Sequence, residues 1–256
     1  MRVLLLANNW TGWQVADWLR QQGDEIVGLI IHPLDKRKFG DEIITAVGVK
    51  VDQIFDGSQL GQLATMEAIA DLQAEIALSV LFDFILKPNF INLFPKGVIN
   101  VHPAYLPYNR GQYPNVWSIV EQTPAGVTIH YIDPGIDTGD IITRQQVLVE
   151  PVDTGETLYR KLEQASVTLF KETWPLIQTG QIARRPQDSQ SGTYHRSRDV
   201  EKIDQIDLDK QYTARHLIDV LRARTFPPYA GAYFVHSGRK VYIRMELIYE
   251  QPWEGQ

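Results

Sequence analysis

Three uninterrupted apolar runs constrain the fold of this 256-residue chain more than any other feature: residues 3–7 (VLLLA), 26–31 (IVGLII) and 76–81 (IALSVL). Each is too short for a buried helix and carries no charge, as expected of strands covered on both faces of a parallel sheet. Between them the pattern changes to helical periodicity. Val15, Trp18 and Leu19 share one face behind a capping box of Thr11 and Gln14, with Gly23 just past the end. Phe39, Ile43 and Val47 recur at helical spacing, and a short strand is expected near residues 49–54. Ser58 can then cap a helix carrying Leu63, Met66 and Ala70. Buried strands alternating with amphipathic helices predict an α/β fold. It is doubly wound (Rossmann-like), a mostly parallel sheet flanked by helices and joined by right-handed crossovers.

Open sheets of this kind bind ligands beyond the carboxyl ends of their strands. The first such turn, LLANNWTGWQ, has only Gly12 where a pyrophosphate-binding turn needs G-x-G-x-x-G. Asn9, Trp10 and Trp13 are also too bulky for close approach to the backbone, so no dinucleotide site is expected there. A G-x-S-x-G elbow and a P-loop are both missing. The net charge of −6 argues against a nucleic-acid scaffold. With no cysteine, neither a disulfide framework nor a thiolate zinc site can form. The opening MRVLLLANNW reads as a buried strand rather than a signal peptide, and no apolar run approaches the ~20 residues that span a bilayer. A cytoplasmic protein with no membrane association and no nucleic-acid partner is expected.

Residues 97–142 hold the densest chemistry: GVINVHPAYLPYNRGQYPNVWSIVEQTPAGVTIHYIDPGIDTGDII. Asn100 and His102 lie two apart in an apolar alternating run, so on a strand they face the same side. Pro103 favours extended geometry at His102 and cannot donate to a ladder, so the strand ends there. A helix over 113–121, a strand over 126–133 and the loop PGIDTGD follow, and that loop can bring Asp137 back toward His102. A donor amide, a base and a carboxylate that orients the base suit acyl transfer. Each also has a plainer reading. A His before Pro is often a hydrogen-bonded structural residue, Asn100 alone is a cap, and Asp137 follows a turn-forming Pro134-Gly135. Asp133, Asp137 and Asp140 miss the calcium-loop pattern, with Arg144 in place of its terminal Glu, and no H-E-x-x-H pair occurs, so no metal is expected. His130 alternates with strand neighbours and reads as packed. His32, His195, His216 and His236 read as surface or capping residues.

The runs NVHPAYLP, GVTIH and DTGDII resemble the formyltransferases that use 10-formyltetrahydrofolate, most densely over 97–142 and more weakly from residue 1 to residue 180. The resemblance implies that Asn100, His102 and Asp137 form the catalytic trio. The turn at 122–125 is slightly shorter than the family pattern, at the far end of the connecting helix from the trio. It also implies that the loop LFDFIL (Leu81, Phe82, Asp83, Phe84, Ile85 and Leu86) lines a pterin pocket. The loop containing Asp133 and Ile136 would close that pocket from the other side. As residues alone, Phe82 and Phe84 read better as core plugs; their place beside the trio favours the pocket.

The loop LPYNRGQY offers Tyr108, Asn109, Arg110, Gln112 and Tyr113 to an acceptor, with Arg110 toward an anion; an ordinary exposed loop is the alternative. A strand over 140–149 follows, then a helix over 153–178 capped by Asp153 or Thr154, with Leu158, Leu162, Ala165 and Leu169 inward. Residues 184–199 are polar and cross the surface. A helix near 213–224, the run FPPYAGAYF and two strands joined at Ser237-Gly238 make a small unit expected to dock on the first. The expected domains are 1–204 and 205–256. Tyr229 and its aromatic neighbours serve either as core or as a surface on which a base stacks.

HPAYLPYNRGQYPNVW, TYHRSRD and FPPYAGAYF look most like the amino-sugar enzymes of the family. The resemblance implies transfer of a formyl group from 10-formyltetrahydrofolate, released as tetrahydrofolate, to a nucleotide-linked amino sugar. A dTDP- or GDP-4-amino-4,6-dideoxyhexose for surface polysaccharide (lipopolysaccharide O-antigen) is the acceptor expected, and a homodimer the assembly. Methionyl-tRNA and glycinamide ribonucleotide are alternative acceptors. A non-catalytic folate or nucleotide sensor is the alternative of another class.

Overall fold

The computed structural model describes residues 1–188 and 191–250; residues 189–190, within the expected surface crossing, and 251–256, at the end of the expected second unit, lie outside it. The elements run β1 (Arg2–Ala7), α1 (Asn9–Gln21), β2 (Glu25–Ile31), α2 (Gly40–Val47), β3 (Ile54–Asp56), α3 (Leu63–Asp71), β4 (Ile76–Val80) and α4 (Pro88–Ile91). Then come β5 (Val98–His102), β6 (Arg110–Gly111), α5 (Pro114–Val120), β7 (Ala125–Tyr131), β8 (Ile141–Val147) and α6 (Gly155–Gln178). β9 (Tyr194–His195), α7 (Glu201–Asp204), α8 (Ala214–Ala223), β10 (Tyr233–His236) and β11 (Arg239–Tyr242) follow.

Seven strands form one sheet in the order β3-β2-β1-β4-β5-β7-β8. The first five in that order are parallel, as the apolar runs predict; β7 runs antiparallel to β5, and β8 antiparallel to β7. Alternation divides the strand side chains between two layers. Val3, Leu5, Ile99, Val101, Val127 and Ile129 join the cluster that α1, α2, α5 and α6 supply. Leu4, Leu6, Ala77 and Val98 join a second cluster with residues of α3 and α4. That second cluster takes only Val98 from β5 and nothing from β7, so at this end of the sheet its face is left to loops. By the same period of two, Asn100, His102, Thr128 and His130 point to this face.

Local signals fail where tertiary contacts compete. The expected capping box of α1 does not form, because the helix starts at Asn9 and buries Thr11. Its N-cap residue Asn8 instead accepts the Lys38 N–H at 2.9 Å. A 3-10 turn at Val51–Gln53 displaces the strand expected over 49–54 to Ile54–Asp56. Ser58 lies in another 3-10 turn that Asp56 caps, and α3 turns Met66 and Ile69 inward while Leu63 and Ala70 are exposed. α6 does begin at a Thr154 cap and buries Leu158, Leu162, Leu169 and Phe170. Full burial of such side chains stabilises by roughly 1.5–3 kcal/mol each.

Past α6 the chain returns to the sheet instead of merely crossing the surface. Ile141 and Arg185 exchange backbone hydrogen bonds of 2.8 and 3.0 Å, and β9 pairs in parallel with β6. In the C-terminal unit α8 starts at the Thr213 cap and packs Val220 and Leu221 with Ile206 and Ala232. The β10–β11 hairpin turns through Ser237 and Gly238, both left-handed. A buried guanidinium docks this unit: Arg222 donates to Asp219 Oδ1 (2.8 Å) and to the carbonyls of Glu150 (3.1 Å) and Asp153 (2.9 Å). Among the described residues, no helix is long and apolar enough to cross a membrane.

Candidate active site

The antiparallel register of β5 and β7 sets Asn100 directly opposite His130, and His102 opposite Thr128. Directly opposed residues share a face, so four polar side chains meet there. Thr128 fixes the turn that follows β5: its hydroxyl donates to the Ala104 carbonyl (2.7 Å) and accepts the Leu106 N–H (3.1 Å). His130 is almost fully buried, and its Nδ1 lies 2.8 Å from the Tyr131 carbonyl oxygen. Only a protonated Nδ1 can make that bond, so Nε2 is the acceptor and takes a hydrogen bond from Asn100 Nδ2 at 3.3 Å. Burial pushes the His130 imidazole down from 6.5 to about 4, against the opposing pull of the Asp137 carboxylate. A neutral His130 therefore holds the Asn100 amide with its nitrogen toward the site.

His102, the last residue of β5, is also buried, yet its Nε2 makes no hydrogen bond. The nearest charge is Asp137 Oδ2 at 3.5 Å. An orphaned buried polar atom costs roughly 1–3 kcal/mol and is rare, and a catalytic role is one of the reasons such an atom persists. Asp137 arrives by an indirect path. β7 runs antiparallel, so the loop 132–140 starts beside the amino end of β5, where Ile132 donates to the Val98 carbonyl. The loop then folds back over the sheet. Asp133 Oδ1 accepts the Gly135 N–H (3.0 Å) and the Thr138 hydroxyl (2.6 Å). Gly139 passes so near Tyr131 that a Cβ would sit 1.9 Å from its carbonyl oxygen. Asp137 itself is left-handed (φ 53°), and its Oδ2 accepts the Gly111 N–H at 2.8 Å. The expected return of Asp137 to His102 is thus what the chain does, with Oδ1 also 3.6 Å from His130 Nε2.

The remaining predicted residues divide. Phe82 and Phe84 turn toward His32, with ring centroids 5.0 and 5.1 Å from it, and cover Gly57. Leu86 is buried, Ile85 and Ile136 are exposed, Leu81 is left-handed and half-buried, and Asp83 faces His32 Nε2 at 3.6 Å. In the loop 106–113 Gln112 and Tyr113 are exposed and Tyr108 is half-buried. Arg110 donates to Gln187 Oε1. Asn109 does not face an acceptor: it is fully buried, and its side chain bonds the hydroxyls of Ser118 (2.9 Å), Thr123 (2.8 Å) and Thr193 (3.0 Å). Tyr229, from the C-terminal unit, accepts from Lys38 Nζ at 2.8 Å.

Two histidines expected at the surface are buried. His32 backs the Phe82–Phe84 pair, and His195 stacks on Trp117 at 4.0 Å with Nε2 3.2 Å from Glu121 Oε2. His216 and His236 are exposed. The polar role of His130, the Gly111 N–H and Gln187 were not anticipated from the sequence. A cleft of about 630 Å³, lined by Tyr105, Pro107, Arg144, Arg185 and Gln187 among others, shares Gln187 with the Asp137 loop. Among the described residues, no group of three or more His, Asp or Glu side chains is arranged to hold a metal.

The arrangement has relatives. The formyl transferase family matches residues 42–173, and the N-formyltransferase dimerization C-terminal domain matches residues 199–249. A dTDP-4-amino-4,6-dideoxyglucose formyltransferase of Mycobacterium bovis is 34% identical over 207 residues, 77% of this chain and 87% of that protein. A 4-N formyltransferase from Francisella tularensis superposes with a TM-score of 0.82 at 29% identity, covering 97% of this chain and 98% of that one. A formyltransferase from Anoxybacillus kamchatkensis, solved with UDP-4,6-dideoxy-4-formamido-L-AltNAc and tetrahydrofolate, gives 0.58 at 32% identity over 79% and 89%. Likeness of this extent, reaching from the sheet through the C-terminal hairpin, makes the chain a member of the formyl transferase family and an N-formyltransferase.

Proposed function

We propose that the enzyme carries the formyl group of 10-formyltetrahydrofolate to the amine of a nucleotide-linked amino sugar. The acceptor is a dTDP- or GDP-4-amino-4,6-dideoxyhexose destined for a surface polysaccharide. One observation carries the chemistry: the buried, unpartnered Nε2 of His102, with the Asn100 amide and the Asp137 carboxylate gathered around it. The 34% identity to a dTDP-4-amino-4,6-dideoxyglucose formyltransferase supports the acceptor.

The residues fit a folate. β5 lies between β4 and β7, so the loops 81–86 and 133–137 flank the trio from either side. Ile85 and Ile136 present apolar side chains to a pterin's faces, and Leu81, Phe82, Asp83, Phe84, Leu86 and Asp133 supply the main chain around it. When bound, the folate supplies an activated formyl carbon, which an amine can capture with loss of one N–H proton. Asn100 Nδ2, held by His130, donates to the formyl oxygen as negative charge grows there. His102 Nε2 takes up the proton of the amine and would return it to the folate nitrogen as that nitrogen's bond to the formyl carbon breaks, so that tetrahydrofolate leaves. Asp137 favours the resulting imidazolium from 3.5 Å. Neutral His130 does not compete for that proton, since burial holds it near 4.

On the acceptor side, Tyr108, Arg110, Gln112 and Tyr113 hold the sugar and its diphosphate. Tyr229 receives the base, beside a cleft of about 480 Å³ that it lines with Arg224, Tyr242 and Arg244. The same reading divides the chain into a catalytic domain, 1–204, and a C-terminal unit, 205–256, that pairs two copies in a cytoplasmic homodimer. The match to a dimerization domain and the exposed Val235, Val241 and Tyr242 support the pairing; sedimentation at a monomer's mass would refute it.

The acceptor test is a panel read by mass spectrometry for gain of one formyl group. It contains dTDP- and GDP-linked 3-amino and 4-amino sugars, the free sugars, glycinamide ribonucleotide and charged initiator tRNA. A nucleotide-linked 4-amino sugar should be preferred, and removing the nucleotide should lower turnover as well as affinity, because remote binding energy orients the amine. Preference for tRNA or glycinamide ribonucleotide would overturn the acceptor and leave the formyl chemistry standing.

A further inference from the structure

We infer that Gln187 is a positioning residue for Asp137, linking the acceptor loop to the catalytic loop. The inference rests on reading Asp137 as a member of the reacting trio. Asp137 is held in the left-handed region, a conformation that costs a non-glycine residue energy unless its surroundings impose it. Gln187 imposes it. Its Nε2 donates to the carbonyls of both Asp137 and Gly139, each at 2.8 Å, gripping the backbone at and just beyond the left-handed residue. Its Oε1 accepts from Arg110 Nη2 (3.2 Å) and Nε (3.4 Å). The next residue, Gly111, gives its N–H to the Asp137 carboxylate at 2.8 Å. One dipeptide of the acceptor loop therefore controls both ends of Asp137: Gly111 sets the carboxylate, and Arg110 sets the backbone through Gln187.

Gln187 is itself well anchored. Two residues earlier Arg185 exchanges two backbone hydrogen bonds with Ile141, at the start of β8. Downstream, β9 pairs with β6, so Arg110 N donates to the Thr193 carbonyl and Gln112 N to the His195 carbonyl. Along β6 successive N–H groups point to opposite sides: Gln112 reports the β6–β9 pairing, and Gly111 reports the grip on Asp137.

That difference separates positioning from mere scaffolding. In Gln187→Ala and Gln187→Glu, neither of which can make both donations, kcat should fall roughly 10- to 100-fold, the scale of a small catalytic misplacement. KM for folate should stay nearly unchanged, whereas KM for the acceptor is free to shift, because Gln187 also accepts from Arg110. Hydrogen exchange at the Gly111 amide should accelerate, while the Gln112 amide keeps its protection. Wild-type kcat in both variants, a loss confined to KM, or loss of protection at both amides would each overturn the inference. Asp137→Ala, run in parallel, tests the underlying reading separately. If it turns over normally, the trio is wrong; if it is inactive while Gln187→Ala is fully active, only the role of Gln187 falls.

Discussion

Replacing His130 with Gln tests whether a neutral histidine is built into the site. Burial holds the folded-state pKa near 4, against 6.5 for an exposed imidazole. Between those values the unfolded chain binds a proton that the folded chain refuses, so stability is complete above pH 6.5 and is lost as pH falls toward 4. Between pH 7 and pH 5 the two pKa values give a loss of about 2 kcal/mol from this one group. His130→Gln keeps an acceptor opposite Asn100 and removes the titration. Urea unfolding of both proteins at pH 7, 6 and 5 isolates the effect, because every other titrating group is common to both. The wild type should lose about 2 kcal/mol more than the variant over that range. Parallel profiles would mean that His130 takes up protons while folded, and the orientation argued for Asn100 would go with it.

Asn100→Ala should lower kcat by roughly 10²–10³, the usual cost of removing one oxyanion donor, in a turnover assay at saturating substrates. Arg222→Leu leaves the buried Asp219 carboxylate without its cation and two carbonyls without their donor. It should destabilise by about 3–5 kcal/mol, measured by denaturant unfolding. Tyr229→Ala removes the partner of Lys38 and a proposed base-stacking ring. It should weaken acceptor binding by on the order of 1–3 kcal/mol, read by calorimetry, and leave folate binding unchanged.

What the sequence discloses is what a single element decides alone. Asn100 and His102 share a face because any strand alternates, and no knowledge of its neighbours is needed. The apolar runs disclose the parallel half of the sheet for the same reason. His130 required more: it meets Asn100 only because β7 runs antiparallel in one particular register, which local patterning does not specify. The capping box at Thr11 failed because the helix begins two residues earlier, behind an N-cap, Asn8, that Lys38 engages from thirty positions away in the chain. Asn109 misled in the opposite sense. A polar residue in a polar, aromatic loop reads as exposed, yet three hydroxyls, 9, 14 and 84 positions further on, satisfy its side chain in the interior. Gln187 and His195 carry no local signal, since their partners lie 48 to 84 positions earlier.

The return of the chain after α6 has a practical meaning for anyone recombining members of this family. The two matched segments end at 173 and begin again at 199, which invites a splice at the close of the long helix. Yet the stretch between them holds Gln187, Thr193 and His195, whose bonds all run to residues 109–139. A hybrid joined at the end of α6 would marry one parent's proposed acceptor loop to the other's strap. Joining after β9 keeps lock and key from the same parent, so a transplant of substrate preference should carry residues 106–113 and 185–195 as one cassette.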